Sequence, residues 1–344
     1  MKIRFRTLQL FFALLPVILF LTFVVGFRAK EVGSDTCNYL FFYHELSHNY
    51  LLLWPLEYCF KGILYLFSIF SAPFQLYLSA IALINIILII FLVRKLSNLL
   101  EGKIDGYRLF FLVATFLFIS PFFFAGMVNV IRQGTAILAL FIFYITLTTR
   151  ARLWSLIPVA VLAFGFHKVT LMMIIFSPLV VLPYRIILGT VLTASICYFS
   201  GSSIKLIYLL STISGFDLYS KIVNYAATSS PGTHYLTGVR YDFALFTITM
   251  GVMFHILNKY FLAIDDRAVF RELLKIYWVL ILPFFLLGFG PYSDRYLLTG
   301  WLYLSIAGAV LLGLIVRKYP IRIGWDCLIF LCSLLYFSVK VQVL

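Results

Sequence analysis

The sequence predicts an all-α polytopic membrane protein. Hydrophobic residues make up 63% of the 344-residue chain and charged residues only 12%, about half the charged fraction of an ordinary soluble domain. The mean hydropathy is +1.04, and several apolar runs reach the roughly 20 residues that an α-helix needs to cross a bilayer. Together these observations indicate a single integral membrane domain over residues 1–344.

The apolar runs predict about eleven spans, and several of them reach the length that crosses a bilayer. They lie near residues 8–27, 74–93, 108–126, 128–149, 153–166, 169–183, 186–200, 243–258, 276–290, 297–316 and 325–341. The first run lacks the small-residue cleavage site of a signal peptide, so we interpret it as a retained anchor. Residues 28–73 and 201–242 are predicted outer loops, and a loop as long as the second often forms a lid or a binding surface.

The segment 56–71 decides the orientation of the chain. It is short and carries Glu57 and Lys61, so it either crosses the membrane or lies in the interface. If it lies in the outer interface, 17 of the 27 lysine and arginine residues face the cytoplasm; if it crosses, 17 face outward. The positive-inside rule favours an interfacial helix and a cytoplasmic N-terminus. Because the basic residues are scattered over short loops in this way, the net charge of +14 does not indicate nucleic-acid binding.

Four basic residues then lie at the outer edges of apolar runs, namely Arg132, Lys168, Arg240 and Arg295. Ionisable groups at the ends of membrane segments are costly and usually mark function. If these edges meet, they form one basic, water-accessible pocket.

Asn129, Arg132 and Gln133 have the spacing i, i+3 and i+4, which places them on one helix face. They stand at the start of the span 128–149, and a helix N-terminus beside an arginine suits an anion. The alternative is an arginine that extends to the interface. The two polar neighbours on the same face favour a binding site.

His167 and Lys168 separate two apolar runs of about 14 residues, shorter than a usual span. A tight outer turn explains them equally well. Histidine is nevertheless the natural proton carrier near neutral pH, so His167 is a candidate general base.

Two arginines each have an acid beside them. Asp294, Arg295 and Tyr296 follow a helix-breaking Gly-Phe-Gly-Pro stretch, and Arg240 is followed two residues later by Asp242. In each pair the acid either neutralises the arginine or holds it toward an anion, and both interpretations stay open.

The acidic residues are few. The only adjacent acidic pair, Asp265 and Asp266, falls in a predicted cytoplasmic loop, so we predict neither a metal site nor a cofactor on the outer side. An anionic group handled there would have to be stabilised directly by arginine and lysine. The chain also lacks a ladder of intramembrane carboxylates, which argues against a proton-driven transporter.

Four short motifs stand along the chain: Gly33-Ser34-Asp35-x-x-x-Tyr39, Asn129-x-x-Arg132-Gln133, Phe166-His167 and Ser293-Asp294-Arg295-Tyr296. Together they resemble the EpsG-type family, which contains Wzy-like O-antigen and exopolysaccharide polymerases of bacteria. The resemblance extends from about residue 8 to residue 318.

The resemblance implies a fold similar to the GT-C membrane glycosyltransferases and a location in the bacterial inner membrane. It implies that oligosaccharide repeat units on undecaprenyl diphosphate are joined at the periplasmic face. The growing glycan would move from its lipid diphosphate to a sugar hydroxyl of a new lipid-linked unit. A separate chain-length-regulating co-polymerase is the implied partner.

This chemistry needs cations for the leaving diphosphate and a base for the acceptor hydroxyl. We expect Arg132 and Arg295 to bind diphosphate, with Arg240 or Lys168 assisting. The further candidates for substrate binding are Asn129, Gln133 and Tyr296, and the candidate bases are His167, followed by Asp35 and Asp294.

Other functions remain open. A different GT-C transferase would add one sugar from a polyprenyl-phosphate donor, and Asp35 in the first outer loop could serve it. A lipid-linked oligosaccharide flippase should show polar residues along its helices and internal symmetry, whereas the mid-helix positions here are apolar. A sugar acyltransferase is a further alternative.

Overall fold

The computed structural model describes residues 2–47, 56–149, 152–215, 219–220, 238–317 and 323–343. Within these ranges every regular element is helical, which confirms the all-α prediction. The helices are α1 Lys2–Gly26, α2 Thr36–Ser47, α3 Tyr58–Ile69, α4 Phe74–Leu99, α5 Gly106–Ile119, α6 Pro121–Phe124, α7 Ile131–Thr148, α8 Ile157–Phe166, α9 Val169–Phe176, α10 Tyr184–Phe199, α11 Ser202–Ser214, α12 Tyr241–Phe261, α13 Ile264–Leu287, α14 Asp294–Val316 and α15 Ile323–Val343. A π-helical turn, Ala125–Asn129, precedes α7, and 3₁₀ turns lie at Leu153–Ser155 and Ser177–Val181.

Several helices are long and apolar enough to cross a membrane, so the chain is a multi-pass membrane protein. In the described ranges, four helices meet both criteria on their own: Phe74–Leu99, Ile131–Thr148, Asp294–Val316 and Gly324–Gln342. Two bent pairs meet them jointly, with angles of 77° after α5 and 91° between α10 and α11. Pro121, at the start of α6, and Gly201, at φ +71°, occupy these two bends.

The helix α3 has 12 residues and is therefore about 18 Å long, well short of the roughly 30 Å hydrocarbon layer. This length is below that of a usual span, as are the lengths of α8, with 10 residues, and of α9, with 8. The choice between a crossing and an interfacial segment at 56–71 stays a prediction.

The chain divides into two compact units, Met1–Thr170 with Leu312–Leu344 (unit 1) and Leu171–Leu311 (unit 2). In unit 1, α4 packs against α1 and α7, α7 packs against α8, and α15 packs against α5. Small residues permit close approach, since a Cβ on Gly134 would lie 2.0 Å from the carbonyl oxygen of Gly126. A largely buried ion pair, Arg108 Nε to Asp326 Oδ2 at 2.8 Å, ties α5 to α15.

In unit 2, α13 is the central helix, and α10 and α12 pack against it. A Cβ on Gly251 would lie 2.3 Å from the Trp278 ring, so α12 approaches α13 closely. The Tyr277 hydroxyl donates a hydrogen bond of 2.6 Å to the backbone carbonyl of Thr247. The candidate residues of unit 2 lie at helix starts: Arg240 directly precedes α12, and Asp294 and Arg295 begin α14.

Candidate functional site

The first loop of unit 1 folds onto the residues that precede α7. Gly33 has φ +91°, a conformation that favours glycine. A Cβ at this position would lie 2.8 Å from the Val128 carbonyl oxygen and 3.0 Å from Asn129 Oδ1. Two of the four sequence motifs, although about a hundred residues apart, are therefore in direct contact.

Arg28 joins the end of α1, the start of α2 and the π-helical turn before α7. Its guanidinium donates to the carbonyl of Val25 at 2.7 Å, to Thr36 Oγ1 at 3.2 Å and to the carbonyl of Val128 at 3.1 Å. Only 4% of this side chain is exposed. Burial lowers the pKa of Arg28 to about 10, so the group keeps its positive charge at neutral pH. It holds the end of α1, the start of α2 and the π-helical turn together.

Glu57 is the centre of the site in unit 1. It directly precedes α3 and is 5% exposed. Its Oε2 accepts a 2.6 Å hydrogen bond from Arg132 Nη1, its Oε1 lies 3.0 Å from His167 Nδ1, and the backbone N–H of Lys168 donates to Oε1 at 3.4 Å. Burial of Glu57 opposes ionisation, but the bond from His167 and the charge of Arg132 outweigh it and lower the pKa of Glu57 to about 2. The carboxylate is ionised at neutral pH.

The ionised carboxylate determines how His167 is held. A carboxylate can only accept hydrogen bonds, so His167 Nδ1 must carry the hydrogen in this contact. The lone pair of a neutral imidazole then resides on Nε2. Because His167 directly follows α8 in an extended conformation, its ring is positioned by the helix end on one side and by Glu57 on the other. The arrangement suits proton abstraction by Nε2.

An aromatic layer supports the arginine of this cluster. The guanidinium carbon of Arg132 lies 5.5 Å from the centre of the Phe60 ring, within cation–π range. The rings of Tyr39 and Tyr77 lie 5.6 Å and 5.9 Å from the same ring. The Tyr39 side chain is also within hydrogen-bond reach of Arg132.

The other predicted residues of unit 1 differ in exposure. Gln133 is 3% exposed in the first turn of α7, whereas the Lys168 side chain is exposed and only its backbone reaches Glu57. Asp35 is half-buried immediately before α2. Within the described ranges the Asp35 carboxylate has no ion-pair partner.

Unit 2 brings the remaining predicted arginines together. Arg240 makes a two-pronged pair with Asp242, with distances of 3.0 Å and 2.6 Å, and its guanidinium carbon lies 3.8 Å from the centre of the Phe243 ring. The hydrogen bonds that Arg240 donates to Asp242 raise the pKa of Arg240 above its ordinary value, and the charge of Asp294 acts in the same direction. Arg240 and Asp294 are therefore electrostatic neighbours.

Tyr198 connects the two loops of unit 2 that carry these residues. Its hydroxyl accepts from the backbone N–H of Arg240 at 2.9 Å and donates to the carbonyl of Gly288 at 3.0 Å. A backbone hydrogen bond of 2.7 Å from Gly238 N–H to the Phe289 carbonyl joins the same two loops. The loop before α12 is thus fastened to the loop before α14.

The start of α14 presents the motif Ser293-Asp294-Arg295-Tyr296. Asp294 is exposed, Arg295 is half-buried, and the Arg295 guanidinium carbon lies 4.3 Å from the centre of the Tyr292 ring. Tyr292 has φ +58°, an uncommon conformation for a residue other than glycine. Tyr296 packs against the apolar cluster that contains Leu287 and Phe289.

Sequence reasoning missed three residues of the unit 1 cluster: Glu57, Arg28 and Tyr77. Glu57 had a usable signal, because an acid in an apolar segment is rare unless it is paired or functional. Nothing local distinguishes Tyr77 among the 22 tyrosines. Within the described ranges, no group of three or more histidine, cysteine, aspartate or glutamate side chains could hold a metal ion.

Comparison with known proteins gives one match. A family model described as the EpsG family matches residues 11–343. Searches of the curated proteins and of the solved structures gave no match.

Proposed function

Since this chain belongs to the EpsG family, a family of Wzy-like polymerases, we propose that it polymerises oligosaccharide repeat units carried on undecaprenyl diphosphate. The family suggests a polysaccharide polymerase. The lipid carrier, the O-antigen or exopolysaccharide product and the periplasmic face are parts of the proposal. The GT-C-like arrangement of about eleven spans and the cytoplasmic N-terminus in a bacterial inner membrane are also parts of the proposal.

The observation that carries the proposal is the contact of Arg132, Glu57 and His167. It places an oriented imidazole beside a guanidinium, at distances of 3.0 Å and 2.6 Å from one carboxylate. Transfer of a glycan from a diphosphate needs both a base and a cation. Both groups stand here within one buried cluster.

The reaction balances as follows. The acceptor hydroxyl oxygen forms a bond to the anomeric carbon of the growing glycan while the bond from that carbon to the diphosphate oxygen breaks. The hydroxyl proton passes to His167 Nε2, and the polyprenyl diphosphate leaves with the electron pair. Glu57 stabilises the positive charge that forms on the imidazole, as carboxylates do beside catalytic histidines. Arg132 stabilises the negative charge of the leaving group.

Both lipid-linked substrates of this reaction carry a diphosphate, and each unit of the protein carries a basic cluster. In unit 2, Arg240 and Arg295 are the proposed anion-binding residues, with Tyr296 on the same helical turn as Arg295. Asn129 and Gln133 in unit 1 would orient sugar or phosphate oxygens. A chain-length-regulating co-polymerase is the proposed partner.

The test is a gel of surface polysaccharide from a host that lacks the gene and carries a plasmid copy. With no functional copy, the ladder of repeats should collapse to a single repeat. Arg132→Lys and His167→Gln should give the same collapse at normal protein level. His255→Gln in unit 2 is the matched control, because His255 pairs with Tyr184 outside both clusters, and it should restore the ladder.

Other outcomes would reject the proposal in favour of a stated alternative. Loss of even the single repeat would indicate flipping or assembly of the repeat unit. An unchanged ladder with a different mass per repeat would indicate a transferase or acyltransferase that decorates it.

A further inference from the structure

Several buried polar atoms in unit 1 make no hydrogen bond within the part of the chain that the structure describes, and three of them belong to the arginines and a tyrosine at the candidate site. These three are Arg28 Nε, Arg132 Nε and the Tyr77 hydroxyl oxygen. Each carries a hydrogen that can be donated. Buried polar groups are almost always satisfied in native proteins, and an unsatisfied one indicates a missing partner.

The three atoms belong to one region. The Tyr77 hydroxyl lies within electrostatic range of both Arg28 and Arg132. The Tyr77 ring and the Arg132 guanidinium also pack around the same Phe60 ring, at 5.9 Å and 5.5 Å. The Tyr77 hydroxyl therefore links the two arginines electrostatically.

The charges of the region do not cancel. Arg132 is paired with Glu57, whereas Arg28 donates only to two backbone carbonyls and a threonine hydroxyl. Within the described ranges Arg28 has no carboxylate partner, although it is 4% exposed. A buried cation without a counter-ion is strongly unfavourable. One negative charge is missing from the cluster.

We propose that Arg28, Arg132 and Tyr77 form a buried binding site for a phosphate-type anion, a phosphoryl group of the lipid-linked substrate. The identity of this ligand rests on the proposed function, whereas the missing negative charge does not. A phosphate oxygen only accepts hydrogen bonds, so it matches a set of three donors. A water molecule would bring two hydrogens of its own and no charge.

Tyr77→Phe is the decisive variant, since it removes one hydroxyl that makes no hydrogen bond to any described residue. The full-length protein in detergent would be titrated with farnesyl diphosphate, inorganic diphosphate and farnesol. Wild type should bind both diphosphates and be stabilised thermally by them, but not by farnesol. Tyr77→Phe should weaken diphosphate binding about tenfold, the usual effect of losing a hydrogen bond to a charged group. Its melting temperature without ligand should not fall.

Tight binding of farnesyl diphosphate alone would identify the anion as a lipid headgroup, and equal binding of inorganic diphosphate would identify the phosphoryl group itself as sufficient. Arg28→Lys keeps the charge but loses the planar donor set, so it should also bind diphosphate more weakly. Tyr303→Phe, at a fully buried tyrosine of unit 2, is the matched control and should bind as wild type does.

Wild-type diphosphate affinity in both Tyr77→Phe and Arg28→Lys would overturn the inference and mean that water fills the site. Failure of the wild type to bind either diphosphate would overturn it too. The sugar ladder is scored separately. Suppose that gene deletion collapses the polysaccharide ladder while Tyr77→Phe and Arg28→Lys bind diphosphate as the wild type does. This result would reject the anion site and leave the proposed polymerase function unaffected.

Discussion

Replacing Glu57 by glutamine should both destabilise unit 1 and change the pH dependence of polymerisation. The substitution keeps the shape of the side chain and removes its charge. Arg132 then loses its ion pair, and His167 Nδ1 loses the acceptor that fixes its hydrogen. The effect therefore reaches the proposed base and the proposed cation through one side chain.

The magnitude follows from the pKa of Glu57, which lies at about 2 instead of 4.5. A difference of this size corresponds to about 3 kcal/mol of stabilisation, of the same order as the cost of breaking a buried ion pair. Because the folded-state pKa is depressed, the stabilisation is complete above the unfolded pKa near 4.5 and disappears as the pH falls through 2. The difference between wild type and Glu57→Gln should thus be constant near neutral pH and shrink below about pH 4.5.

Two assays measure this. Thermal unfolding of the purified protein from pH 7 downward gives the stability difference. Polymerisation in membranes at several pH values gives the activity profile, whose acidic limb should move to lower pH because the carboxylate no longer stabilises the protonated imidazole. Glu45→Gln is the matched control, since Glu45 on α2 has no ion-pair partner in the described part of the chain.

The reasoning would be refuted by a Glu57→Gln protein that melts like wild type at pH 7. An activity profile that drops uniformly without moving along the pH axis would refute the role of Glu57 in holding the base, and would leave it as a structural residue.

Three further predictions use other parts of the fold. Gly33→Ala should lower the free energy of unfolding by at least about 1 kcal/mol, because φ is positive and the new methyl meets a backbone carbonyl, and it should also lower activity. The control is Gly62→Ala, which has open space around it and should melt at or above the wild-type temperature. Asp326→Asn, in the largely buried ion pair between α5 and α15, should lower the melting temperature while activity per folded molecule stays normal. Asp242→Asn should change the free energy of unfolding by less than about 1 kcal/mol, since its side chain is largely exposed. Arg240→Gln should raise the KM for lipid-linked substrate, and an unchanged KM would remove Arg240 from the binding site.

Much of the fold could be predicted because apolar run length is a local property. The predicted span 74–93 and the helix Phe74–Leu99 share their start, since Pro73 ends the preceding turn. The predicted span 276–290 begins 12 residues after the observed start of α13 at Ile264, because the first turns of this helix carry charges that a hydropathy pattern excludes. The span count of about eleven stays a prediction, as does the GT-C-like arrangement.

The predicted start of the helix α7 was wrong for a different reason. The sequence indicates a regular helix from residue 128, whereas Ala125–Asn129 forms a π-helical turn and α7 begins at Ile131. Asn129 therefore lies outside the regular helix that carries Arg132, and the predicted shared face is altered. A π turn depends on tertiary packing, here on Arg28 and Gly33, and leaves no periodic signal.

The site was predicted in part. Arg132 and His167 were selected because they interrupt apolar runs, and the structure brings both to Glu57. The membership of the family, inferred from four motifs, is confirmed over residues 11–343. Glu57 was missed because its partners lie 75 and 110 residues further along the chain, and no local pattern encodes such a pairing. The roles assigned to the other candidate residues stay predictions.

The order in which the ribosome makes these partners has a consequence for biogenesis. Glu57 is synthesised 75 residues before Arg132 and 110 residues before His167, which at ordinary elongation rates is about 5 to 20 seconds. During that interval the nascent chain holds a carboxylate with no counter-charge, and the hydrocarbon interior would expel it. If α3 lies in the interface, as the distribution of basic residues predicts, Glu57 stays in water until α7 and α8 have been made. Under that topology, the charged cluster of unit 1 forms only after the helices that carry Arg132 and precede His167 are present.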